Sequence, residues 1–218
     1  MKGKIYLMIL SIVTLLFACK SNTSVKPTTD TTIKSQAIKV ESEEVPVVKK
    51  YQIKSGIISF ETDMMGIKQK SILYFEDYGS KEAEEEFEGE SVKKINLCDG
   101  KNMYTIIPED KTAYSNGTCY RGVAYRFAWD EISTEDQNTR AKILSNINVA
   151  GKDCESFSYD LGSSFAIYAG WKNICLYQKT KASSMEVVKK AVKVEENINI
   201  PAAKFQVPIG YIVKESAL

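Results

Sequence analysis

Four cysteines, Cys98, Cys119, Cys154 and Cys175, are the residues in the body of this chain best equipped for chemistry. An even number in an exported chain reads as two disulfides. None of them falls in a C-x₂-C pair, so no metal site is expected. The chain has no histidine. That removes His-based triads, His-ligated zinc and the commonest near-neutral general base. Carboxylates are plentiful: the segment from Lys81 to Glu90 carries six acidic side chains. It reads as a solvated edge or loop, and the EF-hand spacing that would turn it into a calcium site is absent. Gly162-Ser163-Ser164 reads as a turn, since the Gly-x-Ser-x-Gly of a nucleophile elbow is missing. Asn116-Gly117-Thr118 reads as a hairpin turn rather than a glycosylation acceptor. These residues predict a protein that is not an enzyme, with a carboxylate-based hydrolase as the minor alternative.

The fifth cysteine, Cys19, closes a leader. Met1, Lys2 and Lys4 make a basic start, and Ile5 to Phe17 is apolar apart from Ser11 and Thr14. An apolar core this short fits a secretory signal peptide better than a membrane span. Leu16-Phe17-Ala18-Cys19 resembles the bacterial lipobox, although Phe17 is bulkier than the usual residue at its position. The resemblance implies cleavage after residue 18, a diacylglycerol on Cys19, and attachment to a membrane through that lipid. Losing Lys2 and Lys4 leaves 27 basic against 28 acidic side chains, a net of −1. So even a balance offers no basic face for nucleic acid.

The elements that must position these groups follow. Residues 19–50 comprise the modified cysteine and a Thr-, Ser- and Lys-rich stretch with Pro27 and Pro46 and no aromatic residue, which reads as a flexible tether. A domain is expected over residues 51–218. Its β-rich runs, Tyr51–Thr62, Ile67–Phe75, Ser91–Leu97, Asn102–Ile107 and Thr112–Ser115, are separated by Gly, Asp and Asn turns, as in an antiparallel meander. A helix is predicted over Ser133–Ser145, capped by Ser133 or Thr134. Ile147–Ala150, Cys154–Tyr159, Ser164–Ala169, Ile174–Lys181 and Met185–Val194 resume the strand pattern. The fold class is α+β and β-rich.

Several short motifs look familiar together: Ile53-Lys54-Ser55-Gly56-Ile57-Ile58, Leu73 to Gly79, Asp99 to Tyr104, Val149 to Cys154, Gly170 to Ile174, and Phe205-Gln206-Val207-Pro208. They resemble exported, uncharacterised bacterial domains common in Bacteroidetes-like bacteria, distant relatives of the outer-membrane lipoprotein carrier and receptor (Lol-like). The resemblance implies a curved antiparallel sheet, an incomplete β-barrel, with one or two short helices over its concave face. It also implies a concavity that holds an acyl chain. The four extra cysteines depart from the Lol pattern.

From these readings the chain is expected to be a lipid-anchored protein of the cell envelope, on the periplasmic face of the outer membrane, that binds an acyl chain or a lipidated partner. A structural or interaction protein with a self-filled core is the alternative. No cofactor is expected. Met64 and Met65, flexible apolar residues at a turn, and Trp171 are the candidate ligand contacts. Each of these three has a packing role as its plainer reading. Three disulfide connectivities exist. The meander favours Cys98–Cys119 and Cys154–Cys175, but strands two apart lie about 9.6 Å from one another, and a disulfide needs Cα atoms within roughly 7 Å. One partner of each pair must therefore sit in a turn or bulge.

Overall fold

A computed structural model describes residues 49–119, 127, 129 and 132–216, and the statements below concern these residues. The leader, Cys19 and the tether as far as residue 48 lie outside them. Residues Val45–Leu218 form one compact unit.

Tight turns set the topology. Met65 and Gly66 both have positive φ, 56° and 88°, and join Met64 to its cross-strand partner Ile67. This is the mirror-image two-residue turn whose twist suits a hairpin. The Asp63 carboxylate fixes it by accepting the Gly66 N–H at 2.8 Å. Strands β1 (Gly56–Met64), β2 (Ile67–Glu76), β3 (Lys81–Glu88), β4 (Ser91–Cys98), β5 (Asn102–Ile107) and β6 (Thr112–Thr118) form one meander. After helix α1 (Thr134–Thr139), strands β7 (Ala141–Val149), β8 (Lys152–Asp160), β9 (Ser164–Trp171), β10 (Ile174–Ala182) and β11 (Met185–Glu196) form a second. β11 pairs antiparallel with β1, so the two meanders become one curved, unclosed sheet. β12 (Ile212–Glu215) adds to β6 in parallel, and β12 and β7 are the two edges.

Three apolar clusters hold this sheet. The first joins Tyr51, Ile53, Ile58, Phe60, Leu73 and Phe75 to Cys154, Ala169, Ile174 and Leu176 from the second meander. The next lies over the first meander, where Ile200 and Phe205 cover Ala83, Leu97, Ile106 and Ala113. The last gathers Phe127, Phe157 and Cys175 with Trp129 and Tyr168. It depends on Gly170, because a Cβ there would stand 2.1 Å from the Phe127 ring.

The structure departs from the sequence reading in three places: Asn116-Gly117-Thr118 is the end of strand β6 and not a hairpin turn, and two larger elements differ. The acidic segment is strand β3, inside the sheet between β2 and β4. The helix is much shorter than Ser133–Ser145. Ser133 does cap it, its hydroxyl accepting the Asp136 N–H at 3.1 Å, but the helix ends at Thr139. Ile143 and Leu144 are in β7, where Ile143 pairs with Phe157. Two adjacent apolar residues are too few to hold a short helix, which needs a packed face. α1 buries none of its residues. What covers the first meander is the irregular segment 198–211, with a 3-10 turn at Ala202–Phe205.

Candidate functional site

The cysteines divide into two kinds. Cys98 and Cys119 form a disulfide with Cα atoms 5.6 Å apart. A register shift in β5 between Asn102 and Tyr104, and the Asp99–Lys101 turn, let the strands draw together there. Cys154 and Cys175 are free, which corrects the expected second bridge. In the ladder Glu155 pairs with Gly170 and Gly170 with Cys175. Cys154 is one residue out of that row, so its side chain points to the other face of the sheet. Burial pushes the Cys154 thiol up to about 11 and the Cys175 thiol up to about 12.

Met64, Met65 and Trp171 are not brought together. Met64 and Met65 form the β1–β2 tip and are 43% and 69% exposed. Trp171 adjoins the β9–β10 turn at the opposite end of the sheet, beyond the start of β1, so the length of β1, roughly 25 Å, separates them. The Trp171 ring packs on the first apolar cluster, with the Lys152 and Lys172 ammonium groups each 4.4 Å from its centre. Both lysines bridge to Glu196, at 2.8 and 3.1 Å. Hydrogen bonds from Lys152 and Lys172 hold the Glu196 carboxyl below the usual carboxylate range.

The buried carboxylates do not converge. Glu84 and Glu85 are neighbours on β3 and point to opposite faces. Lys189 donates to Glu84 at 2.7 Å. Glu85 is bonded by Lys204 from the covering segment and accepts the Tyr74 hydroxyl at 3.2 Å. Glu82 takes bonds from Lys50, at 2.5 Å, and from the Tyr51 hydroxyl. The acidic strand is thus held in the sheet by charge pairing, with each carboxylate tied to a structural partner. Among the described residues no group of acids could hold a metal ion.

The open part of the molecule lies elsewhere. Register aligns Lys142 with Ser158 and Ile167, and Asp160 with Phe165 and Lys181, on one face of β7–β10. These side chains, with Arg140, Leu144, Tyr159 and the 162–164 turn, line a cleft of about 680 Å³. Its apolar floor is Leu144, Ile167 and Phe165; around it Arg140, Lys142 and Lys181 carry positive charge and Asp160 one negative charge. The same face continues through Lys181, opposite Glu186, to a smaller groove of about 380 Å³ lined by Glu61, Met65, Lys68, Val188 and Lys190. The sequence reading misses the cleft because its parts come from several strands. The available signal is alternation: Phe165 and Ile167 share a face with neither Ala166 nor Tyr168.

No family model matches this chain, and no curated protein sequence matches it. Among solved structures its fold is similar to an uncharacterized conserved protein from Thermus thermophilus, with TM-score 0.54 and 8% identity over 78% of this chain and 94% of that one. At that identity the likeness is one of fold. Looser matches include a MucA/MucB complex of Pseudomonas aeruginosa, at TM-score 0.41 and 10% identity over 72% of this chain and 57% of that one. Another is a putative outer membrane lipoprotein-sorting protein domain from Vibrio parahaemolyticus, at TM-score 0.34 and 8% identity over 70% of this chain and 89% of that one.

Proposed function

We propose that this protein is a non-enzymatic, lipid-anchored binder of the cell envelope, and that it takes the apolar chain of an acidic amphiphile in the cleft over β7–β10. The observation that carries this reading is the cleft's make-up: an apolar floor of Leu144, Ile167 and Phe165 beside Arg140, Lys142 and Lys181. Apolar walls with a few placed charges are what small-ligand sites use, and the volume lies within their usual range of about 300–1,000 Å³. A fluorescent fatty acid is the direct probe. The wild-type chain should take it up, and Phe165→Asp with Leu144→Asp should weaken uptake about tenfold, the loss expected when one or two apolar contacts go. No uptake by the wild type would end this reading.

The self-filled alternative has its own support at the other end of the molecule. Ile58, Phe75, Ile174 and Leu176 are fully buried, so the space between the meanders there is occupied by the chain itself. The ligand therefore belongs to the open cleft and not to that core.

Anchoring is the second half of the proposal. Cys19→Ser should leave uncleaved precursor and abolish labelling by a palmitate analogue; normal cleavage with full labelling would contradict it. Lys20 follows the cysteine in place of an acidic retention signal, which supports the periplasmic side of the outer membrane as the protein's location. Protease added to intact cells should leave the domain untouched.

A further inference from the structure

We infer that one end of the sheet is a membrane-contacting rim, a surface that adjoins the cleft at Lys181 and the Asp160–Gly162 turn but is built from other apolar side chains. The hairpin tips at this end carry apolar side chains where turns ordinarily carry polar ones. Met64, Met65 and Ile67 form the β1–β2 tip, Met185 begins β11 at the β10–β11 tip, and Leu161 stands in the β8–β9 tip. They are 43%, 69%, 66%, 47% and 49% exposed, respectively. The ladders put them at the same end: Met64 pairs with Val187 beside Met185, Met185 with Ala182, and Ala182 with Ser164 across the turn from Leu161. The tips therefore follow one edge of the molecule for roughly 20 Å, at about 4.8 Å per strand.

The occupant this edge fits is a bilayer with anionic headgroups. The apolar groups protrude singly from separate turns, so each can enter a soft interface, whereas a groove on a protein would have to match all three tips. The charges agree. Asp63 and Asp160 direct carboxylate oxygens to the Gly66 and Gly162 amides of their own turns, at 2.8 and 2.7 Å. Glu186 is paired with Lys179 at 2.9 Å. Lys68, Lys70, Lys181 and Lys190 beside these tips stand in register with Asp63, Glu61, Glu186 and Glu61, respectively, without closing an ion pair among the described residues, so their ammonium groups can reach lipid phosphates. The next tip along, Glu88-Gly89-Glu90 between β3 and β4, is acidic and marks where the rim stops.

The test is flotation of the compact unit, residues 45–218, with vesicles. Wild type should float with phosphatidylglycerol vesicles and less with phosphatidylcholine. Met65→Asp with Met185→Asp should reduce binding about tenfold or more, as loss of two inserted apolar side chains requires. Both positions are exposed, and Asp tolerates the left-handed backbone of Met65, so the fold survives. Ile212→Asp, on exposed β12, should float like wild type, and all variants should still take up the fatty-acid probe. Failure of the wild type to float with either vesicle, or unchanged flotation of the Met65/Met185 variant, would overturn the inference. Either result would leave the cleft reading standing.

Discussion

The two meanders share one sheet but are finished differently. Strands β1–β6 are closed down. The 198–211 segment covers one face, Lys204 pins that segment to Glu85, and the Cys98–Cys119 disulfide ties β4 to the end of β6. Strands β7–β11 are covered on one face by Phe127, Trp129 and Ile132 and, among the described residues, left open on part of the other. Their cysteines are free thiols, and an uncovered stretch of one face forms the cleft. A curved sheet must cover its apolar surface or use it; the first meander covers one face, and the proposed function has the second use the other. The difference suggests a division of labour: side chains in the first meander hold structure, and the proposed ligand meets the open face of the second.

The strongest way to break that comparison is to truncate an aromatic on each side. Phe205→Ala removes the buried centre of the covering segment and should cost about 3–5 kcal/mol in denaturant unfolding. Phe165→Ala, 38% exposed in the cleft, should cost under about 1 kcal/mol while impairing ligand uptake. Equal losses of stability would erase the distinction. Replacing both Cys98 and Cys119 by Ser should cost about 3 kcal/mol, since the bond closes a loop with a sequence separation of 21.

A smaller effect sharpens the picture at the end of the sheet. Glu196 bridges Lys152 from the second meander and Lys172 from the β9–β10 turn, and its folded pKa is lowered. A depressed carboxylate stabilises above its unfolded value and loses that contribution as pH falls through the folded one. The group is partly open to solvent, so screening limits the effect: Glu196→Gln should cost at most about 1 kcal/mol at pH 7. The gap between variant and wild type should close below about pH 4, as thermal melts at both pH values would register. Smallest of all is the response of the free thiols. Held to about 11 and 12, Cys154 and Cys175 stay protonated at pH 8 and should resist a thiol reagent until the protein is unfolded.

The fold is most legible in the sequence where period and turn chemistry agree. The pattern of Asn102–Ile107 yields its observed bounds, and Met185–Val194 reads as a strand although its valines also suit a helix face. The first disulfide follows from that strand order. Strand β3 is hidden because Glu-rich segments ordinarily stay in water; its lysine partners, Lys50, Lys189 and Lys204, lie far away in the chain. The expected second disulfide fails because a one-residue offset in register reverses a side chain's direction. Met64 and Met65 stand out in the sequence as unusual for a turn, but only the folded ladders set them in line with Met185 and Leu161, far from Trp171. The cleft residues are the least legible, since Leu144, Phe165 and Lys181 meet only once three hairpins have paired.

The most direct test of the central claim is native mass spectrometry of residues 45–218 expressed with a signal sequence and purified from the envelope without detergent. The account predicts a population carrying one acidic amphiphile, which Phe165→Asp with Leu144→Asp removes while the protein mass and fold persist. A wild-type spectrum holding only the bare chain, together with no uptake of added fatty acid, would contradict it.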